Sequence, residues 1–158
     1  MIRRLFIAFC IVFAVIAFDQ ATKAWILYDL MDPPTIIPVF PFVDIILTWN
    51  KGVGFGFLKA NTLVGLLGLI GLALGITIGL GIYLLKTTDP INLISLSMIM
   101  GGAIGNVIDR IRFGAVLDFI YVHIYIFDYH FPAFNVADSS ITLGVCLLFL
   151  ENYVRKKK

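Results

Sequence analysis

Long apolar runs leave this chain few ways to fold. Leu5 to Phe18 is unbroken, Thr62 to Leu85 is nearly so, and two more such stretches follow. A helix needs about 20 apolar residues to cross the hydrocarbon of a bilayer. Of the 158 residues, 60% are hydrophobic and 14% charged, where a soluble domain would carry charge on about a quarter. The expected architecture is an all-α polytopic membrane protein with four transmembrane helices. They are placed at about residues 4–28, 62–85, 91–108 and 138–154, within a single integral-membrane domain over 1–158. Outer segments 29–61 and 109–137 connect them.

Charge gives these spans a direction. Arg3 and Arg4 stand at the start, Lys86 in the middle and Arg155 to Lys158 at the end. Cytoplasmic loops are enriched in Lys and Arg, so four crossings with both termini in the cytoplasm are expected. The basic tail is read as a topology signal, not a nucleic acid site. Basic residues before a short apolar run also describe a signal peptide. Here the pattern continues through Ala21, Ala24, Trp25, Leu27 and Tyr28, so a retained helix is expected. Gly71, Gly75 and Gly79 recur at i, i+4, as do Gly101 and Gly105. That spacing predicts flat faces for close helix packing. The two cysteines, Cys10 and Cys146, lie deep in apolar runs. They are expected as small buried hydrophobes with no disulfide.

Both outer segments look different. Pro33, Pro34, Pro38 and Pro41 rule out a long helix through 29–61. Val43 to Trp49 is β-branched and aromatic, and Asn50-Lys51-Gly52 has the composition of a turn. Ala115 to Val122 is a second strand-like run. A small sheet resting on the membrane is expected.

Spacing places polar residues at one depth. At 1.5 Å rise per residue, Asp19 lies about 22 Å up the first span from Arg4. Asn106 lies about 25 Å beyond Asp89, and Asp138 about 25 Å before Arg155. Three spans thus deliver polar groups to one layer near the outer edge of the hydrocarbon, where ionisable residues are costly and functional by default. Asp19 and Lys23 are i, i+4, which allows either a structural ion pair or a site pair. Asn106, Asp109 and Arg110 share a helix face, though Asp109 and Arg110 also fit as interfacial charges. Asp138, followed by Ser139 and Ser140, fits a helix N-cap. Asp118 stands alone among apolar residues, a setting that raises a carboxyl pKa.

These residue types narrow the chemistry. His123 and His130 lie in a loop with scattered carboxylates, too little for a metal site. No Gly-x-Ser-x-Gly signature accompanies a nucleophile. Gly52-Val53-Gly54-Phe55-Gly56 lacks the Gly-Lys-Ser/Thr of a phosphate loop. A carboxylate pair remains, with Asp118 and Asp138 as candidates. Two neighbouring aspartates share a proton, so one can act as a base on water while the other serves the scissile carbonyl. No cofactor is needed.

At these residues the sequence resembles the lipoprotein signal peptidases, the type II signal peptidase family of bacteria. Asp-Gln-x-x-Lys is present as Asp19, Gln20 and Lys23. Asn-x-Gly-x-x-Phe follows as Asn50, Gly52 and Phe55. Gly-Gly-x-x-Gly-Asn-x-x-Asp-Arg is complete as Gly101, Gly102, Gly105, Asn106, Asp109 and Arg110. Val116-x-Asp118-Phe119 and Phe134-Asn135-x-Ala137-Asp138-Ser139 complete the series. The resemblance implies four helices with a periplasmic β-cradle and a short periplasmic helix. It implies an aspartic endopeptidase of the inner membrane that removes prolipoprotein signal peptides before a diacylglyceryl-modified cysteine. By position, Asp118 and Asp138 match the catalytic dyad. Asp19, Lys23, Asn50, Gly52, Asn106, Asp109, Arg110 and Asn135 match supporting or substrate-binding positions. Membrane lipid and globomycin-type inhibitors are implied as ligands, with no metal, no nucleic acid partner and a monomeric enzyme. Gly54-Phe55-Gly56 departs from the family's more usual Ala-Phe-Ser, which bears on the loop over the site. A small transporter is the rival class, since polar residues near Gly-interrupted spans also mark transporters. It predicts polar residues in the inner half too, where this chain has few. A purely structural subunit would leave the five polar blocks without a purpose.

Overall fold

The structure is a computed structural model that describes residues 1–52, 62–124 and 129–156. Gly54, Phe55 and Gly56 lie outside the described residues. Helix α1 runs Ile2–Trp25 and widens into a π-helical turn, Ile26–Leu30. Strands β1 (Ile37–Phe40) and β2 (Val43–Asn50) follow. Then come α2 (Leu63–Lys86), α3 (Pro90–Phe113), β3 (Val116–Ile124), β4 (Tyr129–His130) and α4 (Val136–Lys156). Among the described residues no separate short helix appears apart from the π turn.

Local chemistry sets the boundaries. Thr62 caps α2 by accepting the Gly65 N–H at 3.2 Å. Asp89 caps α3 by accepting the Asn92 N–H at 2.9 Å, and Pro90 fills the first helical position, where no N–H is needed. Gly114 ends α3 at φ 71°, a left-handed conformation that glycine adopts without cost. Three helices are long and apolar enough to cross a membrane: Ile2–Leu30, Leu63–Lys86 and Pro90–Phe113. Residues Val136–Lys156 form a fourth helix that includes Asp138, Glu151 and Arg155.

Helix α3 is central and packs against each of the others. A Cβ on Gly101 would fall 2.8 Å from Val15 Cβ, and one on Gly105 would fall 2.7 Å from Asp19 Oδ2. The contacts advance together along both chains, so α1 and α3 run parallel. Gly102 lies against Ala137 and Ile141, while Gly144 lies against Ser95 and Ile99, so α4 runs antiparallel to α3. The α2 glycines behave otherwise. A Cβ on Gly71, Gly75 or Gly79 would meet nothing within 4 Å, so the expected packing face is open. Cys10 and Cys146 are free, as expected, but exposed instead of buried. One physical cause covers both corrections. A helix apolar all round shows lipid some of its small residues, and sequence alone does not say which.

The sheet has the order β1-β2-β3-β4, antiparallel throughout. It rests on the end of α1 through a core of Ile26, Met31 and Phe119, joined by Ile37, Ile45 and Leu47. His123 and His130 are register partners on β3 and β4, not loop residues. Strand β2 carries one extra residue between Ile45, opposite Ile120, and Thr48, opposite Asp118. Side chains alternate faces along a strand, so this bulge reverses the facing of everything after it. Asn50 therefore shares a face with Asp118.

Candidate active site

Polar residues from α1, α3, α4, β2 and β3 meet where α1 and α3 end and α4 begins. Lys23, 4% exposed, is the hub on the α1 side. Its ammonium donates to Asp19 Oδ2 at 2.9 Å, Asp109 Oδ2 at 2.8 Å and Asn106 Oδ1 at 3.2 Å. Asp19 and Asp109 are fully buried and also accept backbone N–H groups. Asp19 Oδ1 takes that of Ala137 at 2.9 Å, and Asp109 Oδ2 takes that of Leu117 at 3.2 Å. The first contact ties α1 to the start of α4, the second ties α3 to β3. One ammonium is thus shared between two buried carboxyl groups, each of which also accepts a backbone N–H.

Asparagines link this cluster to Asp118 and Asp138. Asn106 Nδ2 donates to Asp138 Oδ1 at 2.8 Å. Asn135, wholly buried, donates from Nδ2 to Asp118 Oδ1 at 2.7 Å, and its backbone N–H donates to Asp138 Oδ2 at 3.2 Å. Asn50 Nδ2 donates to Asp118 Oδ2 at 2.9 Å. The expected cap role of Asp138 is corrected in detail. Asn135 stands before the first helical residue and its side-chain oxygen accepts the Asp138 N–H at 2.9 Å. Asp138, three residues on, returns the bond. This reciprocal pair is a capping box, with Asn135 as the cap and Asp138 as its partner.

Arg110 fastens the turn after β2. It donates to the Gly52 carbonyl at 2.9 Å, while the Gly52 N–H donates to Asn50 Oδ1 at 2.9 Å. A cavity of about 650 Å³ opens beside these groups. Asn50, Asn106, Arg110 and Asp138 line one part, and Phe131, Phe134, Ile141 and Leu143 line another. Asp138 faces the cavity, whereas Asp118, 2% exposed, sits behind the two amides. Burial pushes the Asp118 carboxyl from 3.8 up to about 6. The negative charge of Asp138 adds to the rise, and the amide N–H groups of Asn50 and Asn135 oppose it.

The structure thus gathers Asp19, Lys23, Asn50, Gly52, Asn106, Asp109, Arg110, Asp118, Asn135 and Asp138 into one network. Sequence reasoning left out Gln20 as a site residue. Its amide donates to Asp109 Oδ1 at 2.8 Å and to Asp19 Oδ2 at 3.2 Å. A polar residue directly after a buried aspartate was the available signal. The Phe131 to Phe134 wall was also missed, although an aromatic run ending at Asn135 pointed to it. The other half of α3 buries Asn92, Ser95 and Ser97. There the serine hydroxyls return to their own helix, at Ile91 O and Leu93 O, and build no network between elements.

A family model described as signal peptidase (SPase) II matches residues 11–154. A lipoprotein signal peptidase of Rhodopseudomonas palustris (strain TIE-1) is 36% identical over 88% of this chain and 87% of its own length. One from Anaplasma phagocytophilum (strain HZ) is 38% identical, covering 98% of this chain and 96% of its own. A solved bacterial membrane enzyme, determined by the in meso method at 2.3 Å resolution, matches with a TM-score of 0.82 and 32% identity. That match covers 94% of this chain and 88% of the other. Agreement of this extent in both sequence and fold places the polar network within a peptidase, and the chain belongs to the signal peptidase II family.

Proposed function

We infer that this chain is an intramembrane aspartic endopeptidase of the bacterial inner membrane. It removes the signal peptide of diacylglyceryl-modified prolipoproteins, cutting on the N-terminal side of the lipidated cysteine. In this reading α4 is a fourth span, both termini are cytoplasmic and the site faces the periplasm. Arg4, Lys86 and Arg155 support that orientation, since they sit at the helix ends away from the polar network. Asp118 and Asp138 are the catalytic pair. The remaining network residues bind substrate or hold the pair, and the enzyme works as a monomer without a cofactor.

One observation carries the proposal: a single buried residue, Asn135, is bonded to both carboxylates, one of which, Asp138, faces a largely apolar cavity. Two carboxylates so linked titrate as a pair. Burial raises the Asp118 carboxyl to about 6, so Asp118 is the acid, and Asp138, which faces the cavity where water enters, is the base. Asp138 takes a proton from water as the oxygen attacks the scissile carbonyl carbon. Asp118 gives its proton to the carbonyl oxygen. When the tetrahedral intermediate collapses, the C–N bond breaks, Asp138 protonates the departing amine and Asp118 recovers its proton. The apolar wall gives the lipid-bearing end of the substrate a surface to rest on, and globomycin-type inhibitors would occupy the same cavity.

The test uses purified protein and a lipidated prolipoprotein. Asp118→Asn and Asp138→Asn should each lower cleavage by about 10²-fold to 10⁴-fold or more, with thermal unfolding still cooperative. Retained cleavage in either folded variant removes the pair from the mechanism. Precursor without diacylglycerol should be cut more slowly, and equal rates would rule out a lipid-dependent enzyme.

A further inference from the structure

Beyond β4 the chain stays beside β3. The Phe131 N–H donates to the Val122 carbonyl at 2.9 Å. Phe134 exchanges two bonds with Ile120, donating its N–H at 3.0 Å and accepting at 2.8 Å, and its carbonyl also accepts the Phe119 N–H at 3.1 Å. Successive residues of an extended chain turn their N–H and C=O groups to opposite sides. Ala133, next to Phe134, therefore turns both groups away from β3. Among the described residues neither group has a hydrogen-bond partner. Pro132 has no N–H, so Ala133 supplies the donor of this edge.

The side to which Ala133 turns is the side of the aspartates. Asn135, two residues on, has the same facing, and its N–H reaches Asp138 Oδ2 at 3.2 Å. Ala133 itself lines the cavity together with Asp138. At about 3.3 Å per extended residue, it stands about 7 Å before Asn135 along the edge. An edge with unpaired groups is a template for another extended chain, and peptides bind such edges by strand addition. Water satisfies the same groups in an empty cavity. A peptide that brings one carbonyl and one N–H replaces it bond for bond.

We propose that the backbone of Ala133 is a substrate-binding group, holding the peptide beside residues 131–134 as one further extended strand. The proposal rests on the peptidase reading above. The sheet is antiparallel throughout, and a peptide that continues this order runs from Asn135 toward Ala133. The residue with the scissile carbonyl then lies opposite Asn135, which is bonded to both aspartates. Ala133 meets the residue two places later, the one that follows the lipidated cysteine. In an antiparallel pair directly opposed residues exchange both bonds, so the Ala133 N–H donates to that residue's carbonyl and the Ala133 carbonyl accepts its N–H. Main-chain pairing reads no side chain, which leaves preference for particular residues to the neighbouring walls. Phe131 and Phe134, whose rings meet edge to face at 5.8 Å, form one of them.

Backbone-modified substrates test the pairing on the unaltered full chain. Synthetic prolipopeptides with a diacylglyceryl cysteine are prepared unmodified, N-methylated at the residue after the cysteine, and N-methylated one residue further on. Loss of one hydrogen bond should raise KM for the first N-methyl peptide about two- to tenfold. The second, whose N–H turns the other way, should match the unmodified peptide, and kcat should change little in both, as befits a group that binds without reacting. Equal KM for all three peptides, or a rise at the further residue instead, would overturn the pairing. On the enzyme side, Ala133→Pro removes the donor and should raise KM for the unmodified peptide by a similar factor while kcat is kept. An unchanged KM in that folded variant would overturn the proposal equally, and if the variant misfolds the peptide series still decides. Normal cleavage with no N-methyl effect sinks the pairing alone, whereas failure to cut the unmodified peptide sinks the peptidase reading and the pairing with it.

Discussion

Each asparagine of the network is oriented by what its amide oxygen accepts. Asn50 Oδ1 takes the Gly52 N–H, Asn106 Oδ1 takes the Lys23 ammonium and Asn135 Oδ1 takes the Asp138 N–H. Each NH2 is then left facing a carboxylate, so both proposed catalytic aspartates see fixed donors. Lys23 underlies this order, because it holds Asn106 and is the ammonium between Asp19 and Asp109. Lys23→Met would leave two buried carboxylates with no cation between them, at a cost of about 3–5 kcal/mol. Thermal unfolding in detergent should show a large fall, and an unchanged midpoint would mean that the charges are not coupled to the fold. The Asp19–Lys23 pair was legible in the sequence because four residues make one helical turn. The Lys23–Asp109 pair joins two helices whose facing was unknown until they packed. The capping role of Asn135 was hidden for a similar reason. Asp138 is the more visible polar residue, but the helix starts two residues before it.

Helix packing here depends on which glycines are pressed. Gly102 lies against the Ala137 carbonyl, and an added Cβ would also fall 2.8 Å from Ile141 Cγ1. Backbone cannot yield without moving α4, the helix that carries Asp138. Gly102→Ala should therefore destabilise by about 1–3 kcal/mol, as overpacking does, and slow prolipoprotein cleavage. Gly75→Ala, with open space around it, should leave both unchanged. Equal effects in unfolding and cleavage assays would mean that glycine position is irrelevant to packing. The sequence showed the same i, i+4 spacing in both helices, so the pressed and open sets could not be told apart. Strands β2 and β3 were legible from their β-branched runs, whereas the short β1 and β4 were not, because their extended backbone comes from pairing with β2 and β3. The bulge was not, because it arises from how β2 pairs with β3, yet it decides that Asn50 reaches Asp118.

At the scale of the molecule, the buried Asp118 makes stability depend on pH. Unfolded, the carboxyl releases its proton near 3.8; folded, only at about 6. Its contribution is thus fully present below the unfolded value and is lost as pH rises through the folded one, an amount on the order of 3 kcal/mol. The unfolding midpoint in detergent should fall between about pH 4 and about pH 7, and Asp118→Asn, neutral throughout, should flatten that fall. An equally steep fall in the variant would assign the dependence to other groups. The presence of long apolar helices and the meeting of their polar groups at one level were readable from the linear chain, since both depend on rise per residue. The cavity was not, because it is bounded by segments that become neighbours only after the helices assemble. The capping box at the start of α4 has one more consequence. The bonds that begin this helix are the bonds that set Asn135 between the two aspartates, so winding its first turn and assembling the pair are one event. Because α4 follows β3 in the chain, the nascent chain holds no finished pair until the first turn of α4 has wound. The timing of the pair's assembly is thereby written into the order of the chain.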